Sequence, residues 1–127
     1  MLELLAPAGS MEALRAAVQN GANAVYLGVG NLNARQSAKN FTPQTLVDAG
    51  KYCHVRGVEV HLTLNTLVSD REMKEAAELI RHAAQNNIDA FIVQDLGVVQ
   101  LCRQIAPHIP VHGSTQMTVH SLPGVQL

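Results

Sequence analysis

Five short apolar runs punctuate the chain, at residues 2–5, 24–27, 58–64, 90–93 and 111–113. Each of the first four is followed by a loop and then by a stretch of helical periodicity. Strands alternating with helices predict a parallel sheet, because parallel neighbours need a long crossover, usually a helix. In such sheets binding and catalytic groups gather on the loops leaving the C-terminal ends of the strands. Those loops are residues 6–9, 28–41, 65–69, 94–95 and 114–117, and they hold most of the amide and hydroxyl groups outside the helices. The sequence ends where a fifth helix is due. That is expected of about four and a half βα units of a larger architecture, a single truncated domain over residues 1–127.

Helix boundaries follow from capping chemistry. Ser10 caps the first helix, which turns Leu14, Ala17 and Val18 inward and ends at Gly21. Thr42 and Pro43 start the second, with Leu46, Ala49, Tyr52 and Cys53 buried and Gly57 closing it. Ser69-Asp70-Arg71-Glu72 reads as a capping box for a third helix running to Asn86, with Met73, Ala76, Ala77, Ile80 and Ala84 inward. Asp95 caps the fourth, which carries Val98, Leu101, Cys102 and Ile105 and stops before Pro107. Residues 20–27 and 86–93 repeat one helix-end, turn and strand pattern.

Alternation in the third run separates Val58, Val60, Leu62 and Leu64 from Glu59, His61, Thr63 and Asn65. A doubly wound sheet is covered on both faces and its strands read as nearly continuous apolar runs. One strongly polar face instead fits a barrel with a polar interior, so a barrel is favoured over a flavodoxin-like sheet. The apolar fraction of 47% supports a real core, built from Leu, Val, Ile and Ala because aromatics reach only 3%. Nine basic against ten acidic residues leave a net charge of −1, so this segment alone makes no electrostatic case for nucleic acid or anionic membrane. No signal peptide and no membrane-length apolar run is visible, and the expected location is cytoplasmic, with no membrane partner. Cys53 and Cys102 have no metal-ligand spacing and read as buried apolar thiols.

Candidate site residues lie on the loops. Ala6-Pro7-Ala8-Gly9-Ser10 could offer N–H groups to an anion, and Gly28-Val29-Gly30 lacks the third glycine of a dinucleotide fingerprint. Arg35 in the long second loop could clamp a carboxylate or phosphate, with Asn33 and Asn40 orienting it; a solvated loop accounts for them equally. His61 and His112 share a side, with Asn65, Asp95, Ser114 and Gln116 near the rim, a set that could bind a metal or move protons. The short-range spacing of a zinc site is missing, and no metal is expected in this segment. His54, His82, His108 and His120 read as surface residues. The expected substrate contacts are Arg35, Asn65, Gln94, Asp95, His112 and Gln116. No nucleophile–base pair can be named.

Several stretches together resemble the collagenase-like peptidase family, peptidase family U32. They are Glu3-Leu4-Leu5-Ala6-Pro7-Ala8-Gly9-Ser10, Asn20-Gly21-Ala22-Asn23-Ala24-Val25-Tyr26-Leu27-Gly28, Asn33-Ala34-Arg35 and Lys39-Asn40-Phe41. Thr63-Leu64-Asn65-Thr66-Leu67-Val68, Ile92-Val93-Gln94-Asp95-Leu96-Gly97 and Ser114-Thr115-Gln116-Met117 complete the set. The resemblance implies an α/β fold of parallel βα repeats, the N-terminal half of a TIM-type barrel. It implies either proteolysis of collagen-like or other peptides, or oxygen-independent hydroxylation of an RNA base or the ubiquinone ring. Some such hydroxylases carry cysteine-bound iron–sulfur clusters, but the family's cysteine signature lies downstream, and Cys53 and Cys102 do not match it. The resemblance therefore implies no cofactor within this segment, and an iron–sulfur cluster or divalent metal in the full-length protein. Its substrate would be a peptide, an RNA or a small molecule. A non-catalytic α/β ligand-binding module is the reading from outside enzymology. Five strands of a barrel leave two open edges, and the chain alone is expected to self-associate through them and to be inactive.

Overall fold

The computed structural model describes residues 4–29, 41–64 and 70–113. In chain order the elements are β1 (Leu5–Pro7), α1 (Met11–Gln19), β2 (Ala24–Leu27), α2 (Pro43–Val55), β3 (Glu59–Leu64), α3 (Asp70–Gln85), β4 (Ala90–Val93), α4 (Leu96–Ile105) and β5 (Val111–Gly113). The strands form one parallel sheet in the order β1-β2-β3-β4-β5. A doubly wound sheet reverses its strand order partway across. This one never reverses, and α1, α2 and α4 pack on the strands while α3 packs between α2 and α4. Helices on one side and sequential strands on the other are the arrangement of a TIM-type barrel, as the alternating third strand predicts.

β2, β4 and β5 fall at their expected residues. The first strand does not. It spans Leu5–Pro7, leaving Leu4 outside it, so Ala6 and Pro7, expected in a loop, belong to the sheet; residues 2 and 3 of the expected run lie outside the described residues. Leu5, Ala6 and Pro7 are in register with Ala24, Val25 and Tyr26, and the Leu4 carbonyl accepts from the N–H groups of Asn23 and Ala24. Proline is tolerated here because the bonds to β2 run through its neighbours: Leu4's carbonyl accepts from Ala24, and Ala8 N–H donates to the Tyr26 carbonyl at 2.9 Å. β3 starts at Glu59 rather than Val58, whose N–H is taken by the Cys53 carbonyl at 2.9 Å.

One turn closes α1, α2 and α3 alike. Gly21, Gly57 and Asn87 have φ of +93°, +73° and +64°. The next residue in each case, Ala22, Val58 or Ile88, donates its N–H back to the carbonyl of Ala17, Cys53 or Ala83. This is the Schellman arrangement, with glycine or asparagine where the left-handed region is required. The expected two-fold repeat is thus a three-fold device. In the first and third copies an acidic or amide side chain follows: Asn23 Oδ1 accepts from Leu4 N–H and Asp89 Oδ2 from Val60 N–H, both at 2.7 Å. Each ties the new strand to the start of the previous one.

The caps agree with expectation where they are described. Ser10 accepts from Ala13 N–H, and Thr42 forms a reciprocal box with Thr45 behind Pro43. The Ser69–Glu72 box lies outside the described residues. The core fills the space between helices and sheet: Val25, Val60, Leu62, Phe91 and Val93 from the strands meet Leu14, Leu46, Cys53, Ile80 and Cys102 from the helices, all fully buried. The inward stripe of α3 keeps Ala76 and Ile80, with Met73 and Ala84 packed against the core as expected, and adds Leu79 and Ala83. It runs through Ala76, Leu79, Ile80 and Ala83, while Ala77 and Ala84 are half-buried. A helix held between two others buries the stripe that faces both, and here that stripe is centred on Leu79 and Ala83. On α4, Val99 is buried as well as Val98 and Cys102.

Cys53 and Cys102 are free, buried thiols, as their apolar neighbours predict. Burial pushes them up, to about 11 for Cys53 and about 12 for Cys102. A thiol that ionises later in the folded state than in the unfolded one contributes stability in full below the unfolded value of 9.0. That contribution is lost as pH rises through the folded values. Urea melts of wild type and a Cys53→Ala/Cys102→Ala variant are expected to diverge from pH 9 upward, with the wild type losing more.

Candidate functional site

Register defines a face on which, among the described residues, no helix packs. Leu5, Ala24 and Glu59 form one row across β1, β2 and β3; Pro7, Tyr26, His61 and Ala90 form the next. Thr63, Ile92 and His112 form the row nearest the C-terminal ends of the strands. Side chains alternate along each strand, so these residues all point away from the apolar core. In a barrel this face is the interior, and its C-terminal end carries the chemistry.

As the inner side of a half-barrel, the face is concave. β3 and β5 lie two strand spacings apart, roughly 9.6 Å on a flat sheet. Yet the rings of His61 and His112 approach to 5.8 Å between centroids, tilted by 30°. The strand between them carries only the small Ala90 as the register partner of His61. His61 is only 6% exposed and its Nε2 lies 3.0 Å from Glu59 Oε1, a carboxylate that accepts the ring proton. His112 remains exposed. Thr63, also buried, donates its hydroxyl to the Leu27 carbonyl at 3.0 Å and so pins β2 to β3 at their C-terminal ends.

The expected contacts divide into three groups. His112 lies on the concave face, and Gln94 lies at the end of β4, half-buried, with its Oε1 enclosed and accepting no hydrogen bond. Asp95 is the N-cap of α4, its Oδ1 accepting from Gly97 N–H at 2.7 Å, which confirms the capping role. Arg35, Asn65 and Gln116 lie outside the described residues, as do Asn33, Asn40 and Ser114. Tyr26 and Glu59, neither singled out as a site residue, complete the face, Glu59 through its bond to His61. The signal for Tyr26 was alternation, since it shares a side with Ala24.

Two histidines read as surface residues have structural partners. His54 Nε2 lies 2.7 Å from Asp89 Oδ2, and His82 Nε2 donates to the Pro43 carbonyl at 2.9 Å, joining α3 to the start of α2. Among the described residues no three His, Cys, Asp or Glu side chains gather as a metal site would require. An iron–sulfur cluster does not fit this segment either. Clusters are held by thiolates, and the chain's two cysteines are protonated thiols packed among apolar side chains on α2 and α4, behind the sheet.

A family model described as peptidase family U32 matches residues 9–127. The uncharacterized protease MJ0090 of Methanocaldococcus jannaschii is 40% identical over 119 residues, covering 94% of this chain and 29% of that protein. The tRNA hydroxylation protein P of Helicobacter pylori is 40% identical over 127 residues, covering 99% of this chain and 30% of that protein. The chain thus spans less than a third of the length of these curated relatives. The solved structure of the U32 peptidase Mk0906 superposes with a TM-score of 0.71 at 15% identity, over 98% of this chain and 53% of that one. At that identity the likeness shows the fold, an N-terminal half of a barrel.

Proposed function

The chain belongs to peptidase family U32, and from that premise we propose that its concave face is part of a site for hydroxylating a base of RNA. The observation that carries this reading is the character of the face. Tyr26 and the exposed His112 offer planar rings with hydrogen-bonding tips, Ile92 adds apolar surface in register with His112, and Gln94 places a carboxamide at the rim. Such a surface suits a flat heterocycle, which is bound by stacking and by hydrogen bonds to its edge. The Helicobacter relative, named for tRNA hydroxylation and aligned over nearly the whole chain, supports the same reading.

The net change replaces a ring C–H by C–OH. It needs a co-substrate, other than O2, that donates the oxygen atom and takes up the two electrons. The described residues bind and orient: His112 lies against the base, His61 and Glu59 fix that ring from behind, and Thr63 holds the strand ends together. The net charge of −1 leaves the phosphate backbone to the remainder of the protein.

Peptide hydrolysis is the second reading, favoured by the name of the archaeal relative. In it the carboxylate-oriented imidazole of His61 is the base half of a hydrolytic site. One experiment separates the two. The purified full-length protein is incubated with transcribed tRNA and rRNA fragments, or with denatured collagen and casein. A nucleoside one oxygen atom heavier by mass spectrometry supports hydroxylation; peptide products with unaltered RNA support hydrolysis.

A further inference from the structure

Polar groups on the concave face are mostly committed to partners within the fold. Thr63 donates to Leu27, His61 to Glu59, and Asp95 accepts from Gly97. Gln94 is different. Its Oε1 is the buried side-chain oxygen or nitrogen that, among the described residues, has no hydrogen-bond partner. Leaving a buried acceptor unpaired is costly, and native chains keep few of them.

Its place in the sheet says what could supply the donor. Phe91 and Val93 face the helices and Ile92 the concave side, so alternation carries Gln94 to the concave side at the C-terminal rim. Ile92 is the register partner of His112. Gln94, two residues beyond Ile92, therefore stands diagonally across from that exposed ring on the neighbouring strand. A six-membered heterocycle lying beside the imidazole brings its edge to the carboxamide. A carboxamide pairs with a donor and an acceptor side by side, because it carries an acceptor oxygen and a donor nitrogen. Nucleobases present such an edge.

We infer that Gln94 is the specificity-determining residue of this site: on binding, its carboxamide turns about its last side-chain bond, so that the enclosed Oε1 comes out to accept an N–H of the substrate base while its Nε2 donates to the neighbouring ring acceptor. This rests on the RNA-base reading and adds the residue that reads the base.

The test uses the full-length protein and two RNA substrates. They are identical except that the target base in one has its pairing-edge N–H replaced by N-methyl, as in N3-methyluridine or N4,N4-dimethylcytidine. Wild type is expected to lose about tenfold or more in kcat/KM on the methylated RNA, the scale of one hydrogen bond at the site. Gln94→Leu is expected to lose a similar factor on the unmodified RNA, mainly in KM, and to be insensitive to the methyl group. Gln94→Met serves if Gln94→Leu melts early. A wild type indifferent to methylation, or a variant that loses equally on both RNAs, overturns the assignment. Absence of hydroxylated product from every RNA overturns the functional reading itself, and the role of Gln94 with it.

Discussion

Replacing Phe91 with alanine is expected to destabilise the chain by about 3–5 kcal/mol. Phe91 heads the fully buried side chains by size. It sits in β4, in register with Leu62 on one side and Val111 on the other, and its N–H donates to the Pro110 carbonyl at 2.9 Å. Its ring lies on the helix side of the sheet, within the apolar cluster that also holds Leu62, Val98 and Cys102. Truncation removes the transfer energy of the ring and leaves a cavity that strands fixed on both sides cannot close. Against a total stability of roughly 5–15 kcal/mol, that is a large fraction of what holds the chain folded. Urea unfolding followed by circular dichroism measures it. His112→Ala, one position beyond Val111 on the exposed face, is the control and is expected to move stability by less than about 0.5 kcal/mol. Equal losses from the two substitutions would contradict the assignment of faces.

Asp89→Ala is expected to cost about 2 kcal/mol although half-buried Asp89 adds little to the core. Its Oδ2 accepts from both Val60 N–H and His54 Nε2 at 2.7 Å, so one carboxylate ties the start of β4 to β3 and to the last turn of α2. Alanine leaves the Val60 N–H without its partner at the edge of the core. Asp89→Asn keeps an acceptor for Val60 and is expected to lose less than half as much. The same urea melts decide it, and indistinguishable melts for the two variants would show that the tie to Val60 carries no stability. This device belongs to the N-terminal end of the strands, where a barrel keeps its stabilising contacts, away from the C-terminal rim.

Much of the frame was legible because it rests on local rules. Apolar runs gave β2, β4 and β5, and oxygen-bearing side chains gave the caps at Ser10, Thr42 and Asp95. The alternation of Glu59, His61 and Thr63 by itself distinguishes a barrel from a doubly wound sheet. What escaped depends on partners distant in sequence. β1 shifted by register with β2, and no local pattern says that Pro7 can join an edge strand. Asn87 takes a left-handed conformation that its glycine counterparts at positions 21 and 57 announce more plainly. The ring approach of His61 and His112 depends on sheet curvature and on Ala90 between them, and the orphaned oxygen of Gln94 on how neighbouring groups close around it. Of the site residues expected from the loops, Gln94 and His112 are placed together at one rim, Asp95 is occupied as a cap, and Arg35, Asn65 and Gln116 fall outside the described residues.

The central claim is that this polar, concave half-barrel face serves RNA-base hydroxylation. The most direct test is nucleoside mass spectrometry of tRNA and rRNA from the host, from a strain deleted for the gene, and from that strain carrying the gene again. The account predicts one hydroxylated nucleoside that disappears on deletion and returns on complementation. An unchanged nucleoside profile in the deletion strain would contradict it.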